Sequence, residues 1–423
     1  MKQKHHRMLC AFCALVILVS TVFPTAAFAE QPVDAAAAEQ TLTRADAAGM
    51  QQADAAVTAL TESEQYQEMD TDARKDAALA QLDTLAAKGL VEKDSIYTDE
   101  ENGMVSFRYP CGVLGGILLT EPEDETLDEE NAETETTSNA LPLRLPPDLG
   151  AEMQKSRAAL LRRTENQAVE KFGTAVIYYA FDNTINSSRF PYYSYMQGFW
   201  SALGLETKIN IHVTVADLKK MGNYNVSVLS AHGSYYTYSY GKFLKRTRTE
   251  PIMLLTEEST FGKDLRYGFD LLAHRVIKVN GMYCVTSDFF RNAYKGGKLS
   301  NTIVYSETCE FLGVDGSEDN AMADALLSGG AQAVIGYVNN VYTVYSRSML
   351  WDTINHLIMG QNVGQALEHA KATYGEDDLI WYHAQGGRRP HAAASYAVLY
   401  GNSQAALHVP ESNRSMFSAD LAA

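Results

Sequence analysis

The sequence predicts an α/β fold: a doubly wound, mainly parallel sheet with helices on both faces, preceded by a small α+β module. Two observations favour this class. Short apolar runs rich in β-branched residues recur at 175–180, 225–229, 303–305 and 333–335, and such runs are typical of buried strands. Stretches with helical periodicity separate most of these runs, and an alternation of strand and helix is typical of a parallel sheet.

The start of the chain has the features of a signal peptide. Basic residues come first, an apolar run occupies residues 8–23, and an Ala-Phe-Ala tripeptide ends at residue 29. This order matches a leader with a small-x-small cleavage site. Residues 1–29 are therefore predicted to be removed, with an uncleaved anchor as the alternative. No later stretch is long and apolar enough to span a bilayer, so we expect a secreted, extracellular protein without membrane contact.

Residues 30–120 are predicted to form the α+β module. A helix is expected over 72–90, followed by a hairpin that turns at Asn102-Gly103 and a strand over 113–119. Residues 121–140 are acidic and contain no Lys or Arg, which predicts either a solvated linker or a protease-accessible joint. Residues 141–423 form the main domain.

The main domain alternates predicted strands with predicted helices. Helices are expected over 151–172, 192–203, 216–220, 320–327, 345–359 and 364–374, and strands over 175–180, 208–213, 225–229, 252–255, 275–285, 303–305, 333–335 and 396–402. The region 275–285 is a hairpin that turns at Asn280-Gly281. Residues 241–250 are predicted to be an exposed basic loop, and so a place where an enzyme that prefers basic residues could cut its own chain.

Charge and cysteine content narrow the functional class. The 423 residues carry a formal net charge of −17, so nucleic acid is not an expected partner, and we expect a monomer. Beyond the leader the cysteines are Cys111, Cys284 and Cys309. An odd number in an exported protein indicates at least one free thiol. Cys111 and Cys284 are predicted in apolar strands, whereas Cys309 follows a strand and is flanked by polar residues.

A histidine has a position in the predicted sheet that matches the position of this cysteine. His232 and Gly233 follow the strand at 225–229, just as Cys309 follows the strand at 303–305. Ligands of open α/β sheets bind outside the carboxyl ends of the strands. We therefore expect an imidazole and a thiol to meet in one crevice.

The segments around these residues resemble a known family. Ser-Ala-His-Gly-Ser contains His232, Ser-Glu-Thr-Cys-Glu-Phe-Leu-Gly contains Cys309, and a helix and Gly-Gly-Ala-Gln-Ala-Val-Ile-Gly-Tyr follow. Together they resemble the caspase-like cysteine peptidases, and the clostripain and gingipain branch most of all, over about residues 174–407. The resemblance implies a caspase-like fold and protein or peptide substrates. No cofactor and no metal site are predicted, although relatives can depend on calcium.

The chemistry of such an enzyme assigns a role to each residue. A cysteine peptidase needs a thiolate, a base that generates it, and donors for the oxyanion. Cys309 is the candidate nucleophile, and His232 is the candidate base and proton donor to the leaving amine. The candidate oxyanion donors are the backbone N–H groups of Gly233 and Cys309, because a residue without Cβ lets the substrate carbonyl approach.

Substrate preference is predicted from two acidic residues. In the clostripain family an acidic residue two positions before the nucleophile lines the pocket for a basic P1 side chain, and Glu307 has that position here. Asp182, at the end of the first strand of the main domain, resembles a second acidic position of the family. A carboxylate in the pocket would pair with Arg or Lys.

The predicted function is thus a secreted cysteine endopeptidase that cleaves after Arg or Lys and is made with an N-terminal accessory or pro-module. One alternative is a caspase-like domain that has lost turnover and serves as a surface binding module. A second is an unrelated doubly wound protein with a nucleotide or sugar ligand. That class should carry a glycine-rich phosphate loop after its first strand, and residues 181–190 contain no glycine.

Overall fold

Two large β-sheets organise the part of the chain that the structure describes. The computed structural model describes residues 41–119, 169–181, 192–241, 245–384 and 393–417. Its strands are β1 (Tyr97–Asp99), β2 (Met104–Arg108), β3 (Leu114–Leu118), β4 (Gly173–Ala180), β5 (Leu205–Asn210), β6 (Val226–Ala231), β7 (Gly233–Tyr240), β8 (Arg246–Glu258), β9 (Val276–Val279), β10 (Met282–Thr286), β11 (Ile303–Ser306), β12 (Gly313–Val314), β13 (Ser317–Glu318), β14 (Ala333–Val338) and β15 (Tyr396–Gly401).

Helices pack on these sheets. They are α1 (Arg44–Thr61), α2 (Glu64–Gln67), α3 (Thr71–Ala87), α4 (Tyr192–Ala202), α5 (Val215–Leu218), α6 (Phe261–Leu272), α7 (Ser287–Ala293), α8 (Ala321–Ser328), α9 (Thr343–Ile358), α10 (Val363–Tyr374), α11 (Asp378–Ala384) and α12 (Glu411–Phe417). Among the described residues, no helix has both the length and the apolar character needed to cross a membrane.

The first sheet has six strands and is mainly parallel, as the α/β class predicts. Its order is β15-β14-β11-β6-β4-β5, with only β15 antiparallel to its neighbour. Ala175 and Ile177 of β4 pack on one face with residues of α4, α9 and α10. Val176 and Tyr178 pack on the other face with residues of α5, α7 and α8. Burial on both faces explains why these strands are almost continuously apolar.

A second sheet of seven strands is not predicted by the sequence patterns. Its order is β1-β2-β3-β9-β10-β8-β7, and all its pairs are antiparallel except that of β3 with β9. The chain passes directly from β6 of the first sheet into β7 of the second at His232. The functional histidine predicted above therefore lies at the junction of the two sheets.

The prediction of a loop over 241–250 is wrong for residues 246–250, which belong to β8. Arginine and threonine alternate there without an apolar signal. The segment is a strand because it pairs with the tyrosine-rich β7, where the Thr237 and Thr249 hydroxyls share a hydrogen bond of 2.8 Å. Residues 242–244 lie outside the described residues. A hydrogen-bonded strand is a poorer site for self-cleavage than the exposed loop that the sequence predicts.

Four other local predictions have clear outcomes. The strand expected over 208–213 is β5, three residues earlier, and Cys111 lies in the turn between β2 and β3 instead of in a strand. Cys284 is fully buried in β10, as predicted. Asn280 and Gly281 have φ values of 47° and 78°, which is the backbone that a two-residue hairpin turn requires.

Several predictions fall on residues that the structure does not describe. The signal peptide, the acidic linker and Asp182 lie outside the described ranges. Of the helix predicted over 151–172, only residues 169–172 are described, and they are not helical.

A buried ion network joins the predicted N-terminal module to the main domain. Lys278 of β9 is 1% exposed, and its ammonium group lies 2.5 Å from the Asp54 carboxylate of α1 and 2.9 Å from that of Asp264 of α6. The hydroxyls of Tyr109 and Tyr283 donate hydrogen bonds to Asp54 and Asp264 respectively. Residues 41–119 thus share both a sheet and a charge network with the main domain, and their role as an accessory or pro-module stays a prediction.

Removal of the buried ammonium group should destabilise the fold. Lys278→Met leaves Asp54 and Asp264 buried without their counter-charge, and the loss of one partner from a buried ion pair costs about 3–5 kcal/mol. Chemical denaturation should show a fall of this size in the free energy of unfolding. Lys93→Met is the control, because Lys93 pairs with Asp83 on the surface and such pairs contribute about 0–1 kcal/mol. Equal effects of the two substitutions would contradict the assignment.

Candidate functional site

The pairing of β6 with β11 brings the two predicted catalytic residues to one edge of the first sheet. Leu229 of β6 is the parallel partner of Ser306 of β11, and the Glu307 N–H donates to the Leu229 carbonyl at 2.8 Å. His232 lies three residues beyond Leu229, and Cys309 lies three residues beyond Ser306. Each side chain therefore lies three residues beyond a paired residue, at the carboxyl ends of β6 and β11, where ligands bind in such sheets.

His232 is held by contacts on its backbone and its ring. Its carbonyl accepts a hydrogen bond from the Leu254 N–H at 2.9 Å. The half-buried imidazole packs against the ring of Phe181, edge to face, with 4.7 Å between the ring centroids. These contacts limit the rotation of a side chain that sequence context alone cannot orient.

Gly233 lies directly against the backbone of Cys309. A Cβ atom on Gly233 would be 2.1 Å from the Cys309 carbonyl oxygen and 2.5 Å from Cγ2 of Thr308. No real Cβ approaches a backbone oxygen so closely, so a side chain at this position would force the two segments apart. The contact shows that the His-Gly and Cys segments touch.

The hydrogen-bond pattern of β7 sets the direction of the Gly233 N–H. Because the Leu254 N–H donates to the His232 carbonyl, these two residues form a hydrogen-bonded antiparallel pair. The next pair, Gly233 and Met253, is then of the non-hydrogen-bonded kind. The Gly233 N–H therefore points away from β8, on the open side of β7, which is the last strand of its sheet.

The loop after β14 contacts the sulfur of Cys309. The Val341 N–H donates to Sγ with an N···S distance of 3.4 Å, and the thiol is partly exposed. The next residue, Glu310, adopts a left-handed φ of 53°, and its N–H donates to the Asn339 carbonyl at 2.9 Å. A backbone donor that points at sulfur stabilises negative charge on it.

Glu307 lies in a buried hydrogen-bond network. The Tyr193 hydroxyl donates to its Oε2 at 2.9 Å, and the Ser346 hydroxyl donates to its Oε1 at 3.4 Å. The same Tyr193 oxygen is 2.8 Å from the Ser230 hydroxyl and accepts from Nε of Arg347 at 3.3 Å. Sequence reasoning identified only Glu307, because its partners are far away in the chain.

Arg347 brings a fully buried positive charge to this network. It is 0% exposed, and its guanidinium group lies over the rings of Tyr192 and Tyr193, at 5.4 and 5.5 Å from their centroids. Burial and the Glu307 carboxylate raise the pKa of Tyr193 well above its usual value, while Arg347 acts in the opposite direction. The hydroxyl therefore remains a donor to Glu307. No clear sequence signal marks Arg347, because its helix α9 also carries an aspartate and a histidine.

These contacts bear on the predicted P1 pocket. Glu307 is only 4% exposed, so its carboxylate lies deep in the crevice, not at its surface. A basic P1 side chain would have to reach a buried carboxylate that the Tyr193 hydroxyl already links to Arg347. Asp182, the second predicted pocket residue, lies outside the described residues, so its part in the pocket stays a prediction.

Comparison with known proteins does not identify a family. No family model matches the chain, and no curated protein matches it. The assignment to the caspase-like peptidases therefore depends on the segments around His232 and Cys309, and it stays a prediction.

The acidic residue beside the thiol should make stability depend on pH. Burial, and then Asp315, raises the pKa of Glu310 from 4.5 to about 7. The folded protein thus keeps a proton that the unfolded chain releases near pH 4.5, so stability falls as the pH rises between these values. Glu310→Gln should remove part of the fall in unfolding free energy between pH 5 and pH 8.

Chemical denaturation at several pH values measures this effect. Glu368→Gln provides the control, because it makes the same chemical change at a side chain that is exposed on α10. Burial also raises the pKa of Glu250 to about 7. Glu250 should therefore still contribute to the pH dependence of stability in the Glu310→Gln variant. A profile for Glu310→Gln that overlies the wild-type profile would contradict the burial of this carboxyl group.

Proposed function

We propose that the protein is a cysteine endopeptidase in which Cys309 is the nucleophile and His232 is the acid–base residue. The observation that carries the proposal is their matched position, each three residues beyond the paired residues Leu229 and Ser306 on neighbouring parallel strands. A thiol and an imidazole in one strand-end crevice are the groups that nucleophilic catalysis at a carbonyl carbon requires. The contact of Gly233 with the Cys309 backbone supports the same arrangement.

In the proposed reaction the Cys309 thiolate adds to the scissile carbonyl carbon, and the carbonyl electrons move to oxygen. The N–H groups of Gly233 and Cys309 stabilise this oxyanion. The direction of the Gly233 N–H, away from β8, is consistent with that role. The C–N bond then breaks as His232 gives its proton to the leaving amine, and a thioester remains. Water, deprotonated by His232, hydrolyses the thioester and restores the thiol.

The family and the location belong to the same proposal. A mainly parallel sheet with an antiparallel strand β15 at one edge, and with the His segment ahead of the Cys segment, is consistent with a caspase-like peptidase of the clostripain and gingipain type. The features of a signal peptide at residues 1–29 support a secreted enzyme. The carboxylate of Glu307 supports a preference for Arg or Lys at P1.

Removal of either catalytic group should abolish peptide cleavage without unfolding the protein. Cys309→Ala removes the nucleophile and His232→Ala removes the base, so turnover of a peptide library should fall to background in both. Circular dichroism checks that each variant is folded. Cys111→Ser and the exposed His408→Ala are the matched controls and should keep turnover.

The same experiment separates an enzyme from a binding module without turnover. An activated thiol is alkylated quickly at neutral pH, so iodoacetamide should modify Cys309 faster than Cys111, and His232→Ala should slow that reaction. A folded wild-type protein with no turnover and with equal modification of the two thiols would favour the binding module. Full turnover in a folded Cys309→Ala variant would refute the proposal.

Substitution of the pocket carboxylate should reduce the preference for basic substrates. Glu307→Gln keeps the shape of the side chain but removes its charge, and a hydrogen bond to a charged group contributes about 1.5–3 kcal/mol. The ratio of kcat/KM for Arg and Lys over neutral P1 residues should fall accordingly. Glu307→Gln also removes a negative charge near the buried Arg347 and could lower the amount of folded protein. Because the kcat/KM ratio compares two substrates of the same variant, such a loss cancels. A wild-type profile dominated by acidic or apolar P1 residues would contradict the pocket.

A further inference from the structure

Two histidines and an aspartate form a cluster between α9 and α10. Asp352 and His356 lie one turn apart on α9, and His369 lies on α10. Nδ1 of His369 is 2.7 Å from one carboxylate oxygen of Asp352, and Nε2 of His356 is 3.8 Å from the other. The two imidazole rings stack on each other, with 3.7 Å between their centroids and 34° between their planes. One potential ligand atom from each residue lies within 4.8 Å of the other two.

This cluster is separate from the proposed catalytic site. Thr343 begins α9 two residues after Val341, the residue that contacts the Cys309 sulfur. Asp352 lies nine residues further along, which is about 14 Å at the rise of an α-helix. A ligand held by Asp352 and its neighbours would therefore not touch the thiol.

Hydrogen bonding within the cluster is incomplete. His356 is 7% exposed, and its Nδ1 atom and the Oε1 atom of Gln361 are both buried without a hydrogen-bond partner. Gln361 lies beside this residue, because its backbone N–H donates to the His356 carbonyl at 3.1 Å, but its side-chain oxygen does not reach hydrogen-bond geometry with the ring. On the other side of the ring, Nε2 is too far from Asp352 for a hydrogen bond. Both ring nitrogens of a buried imidazole are thus left without a good partner.

A metal ion at Nε2 would satisfy both sides of this ring. Metal binding to Nε2 places the proton on Nδ1, and the ring can then donate to Oε1 of Gln361. Metal-bound histidines usually donate their second ring N–H to an acceptor in this way. The acceptor is therefore already present beside His356.

We propose that Asp352, His356 and His369 bind a divalent transition metal, with Zn²⁺ as the best fit. Imidazole nitrogen and carboxylate oxygen are the ligands of three-residue zinc sites, and a water takes the fourth position. His369 is 46% exposed at its side chain, so that position is open to solvent. Zinc bonds of about 2.0–2.1 Å separate tetrahedral ligand atoms by roughly 3.3 Å, so the ligand atoms of the three side chains shift to that spacing when the metal binds. Mg²⁺ and Ca²⁺ prefer oxygen ligands alone.

The bound metal links α9 to α10 and restrains α9, the helix that carries part of the Glu307 network. Ser346 and Arg347, which belong to that network, lie on α9 between Val341 and Asp352. The site does not depend on the proposed peptidase activity, because none of its ligands takes part in that chemistry.

The test uses the mature full chain in a Cys309→Ala background, so that the nucleophile cannot bind the probe metal. After treatment with a chelator, the protein is titrated with ZnCl₂ in a calorimeter and with CoCl₂ in a spectrophotometer. We expect one equivalent of Zn²⁺ to bind and to raise the midpoint of thermal unfolding. Bound Co²⁺ should give the visible bands of a four-coordinate site without a thiolate charge-transfer band.

The variants assign the ligands. Asp352→Asn and His369→Ala should each weaken Zn²⁺ binding by more than ~10-fold, and Gln361→Leu should weaken it by ~10–100-fold. The exposed His408→Ala is the control and should bind like the parent. Buried His356 is not substituted, so a failure to fold does not obscure the result. Absence of Zn²⁺ binding to the parent, or unchanged binding by Asp352→Asn and His369→Ala, would overturn the proposal and leave a hydrogen-bonded His–Asp pair only.

Discussion

The parallel pairing of β6 with β11 is the constraint on which the candidate site depends. Because Leu229 and Ser306 are paired, His232 and Cys309 follow at equal distances and reach the same edge. A one-residue slip of this register would turn the side chains of β11 to the opposite face of the sheet. It would also separate Gly233 from the Cys309 carbonyl that it now touches. Burial on both faces of the first sheet makes such a slip costly.

Buried charge is a second feature of the structure, and more charged side chains are buried than the sequence suggests. Glu307 and Arg347 belong to one network, joined through the Tyr193 hydroxyl. Buried ion pairs contribute little net stability, because desolvation offsets their attraction. Their effect here is positional: the carboxylate, the phenol and the guanidinium each limit where the others can lie. A substrate cation must therefore enter a site whose charges already have partners, which makes selectivity depend on the shape of the crevice as well as on charge.

The first sheet could be predicted because its strands are apolar on both faces, and the strand-end positions of His232 and Cys309 follow from that prediction. The second sheet could not be predicted in the same way. Residues 246–250 have no apolar alternation and become a strand only through pairing with β7. The Glu307 network could not be predicted from the sequence, because Tyr193 lies 114 residues away from Glu307 in the chain. Asp352 and His356 have helical spacing that the sequence displays, but only the packing of α10 on α9 adds His369.

Lys278 takes its two counter-charges from opposite sides of residues 120–168, since Asp54 precedes that segment and Asp264 follows it. Scission of the chain within that segment would thus break a covalent bond without breaking the interface. The products would be two polypeptides that share a sheet, through β3 and β9, and one ion network. They would separate on a denaturing gel and migrate together under native conditions. Maturation at that segment would therefore yield a permanent light subunit, not a diffusible propeptide.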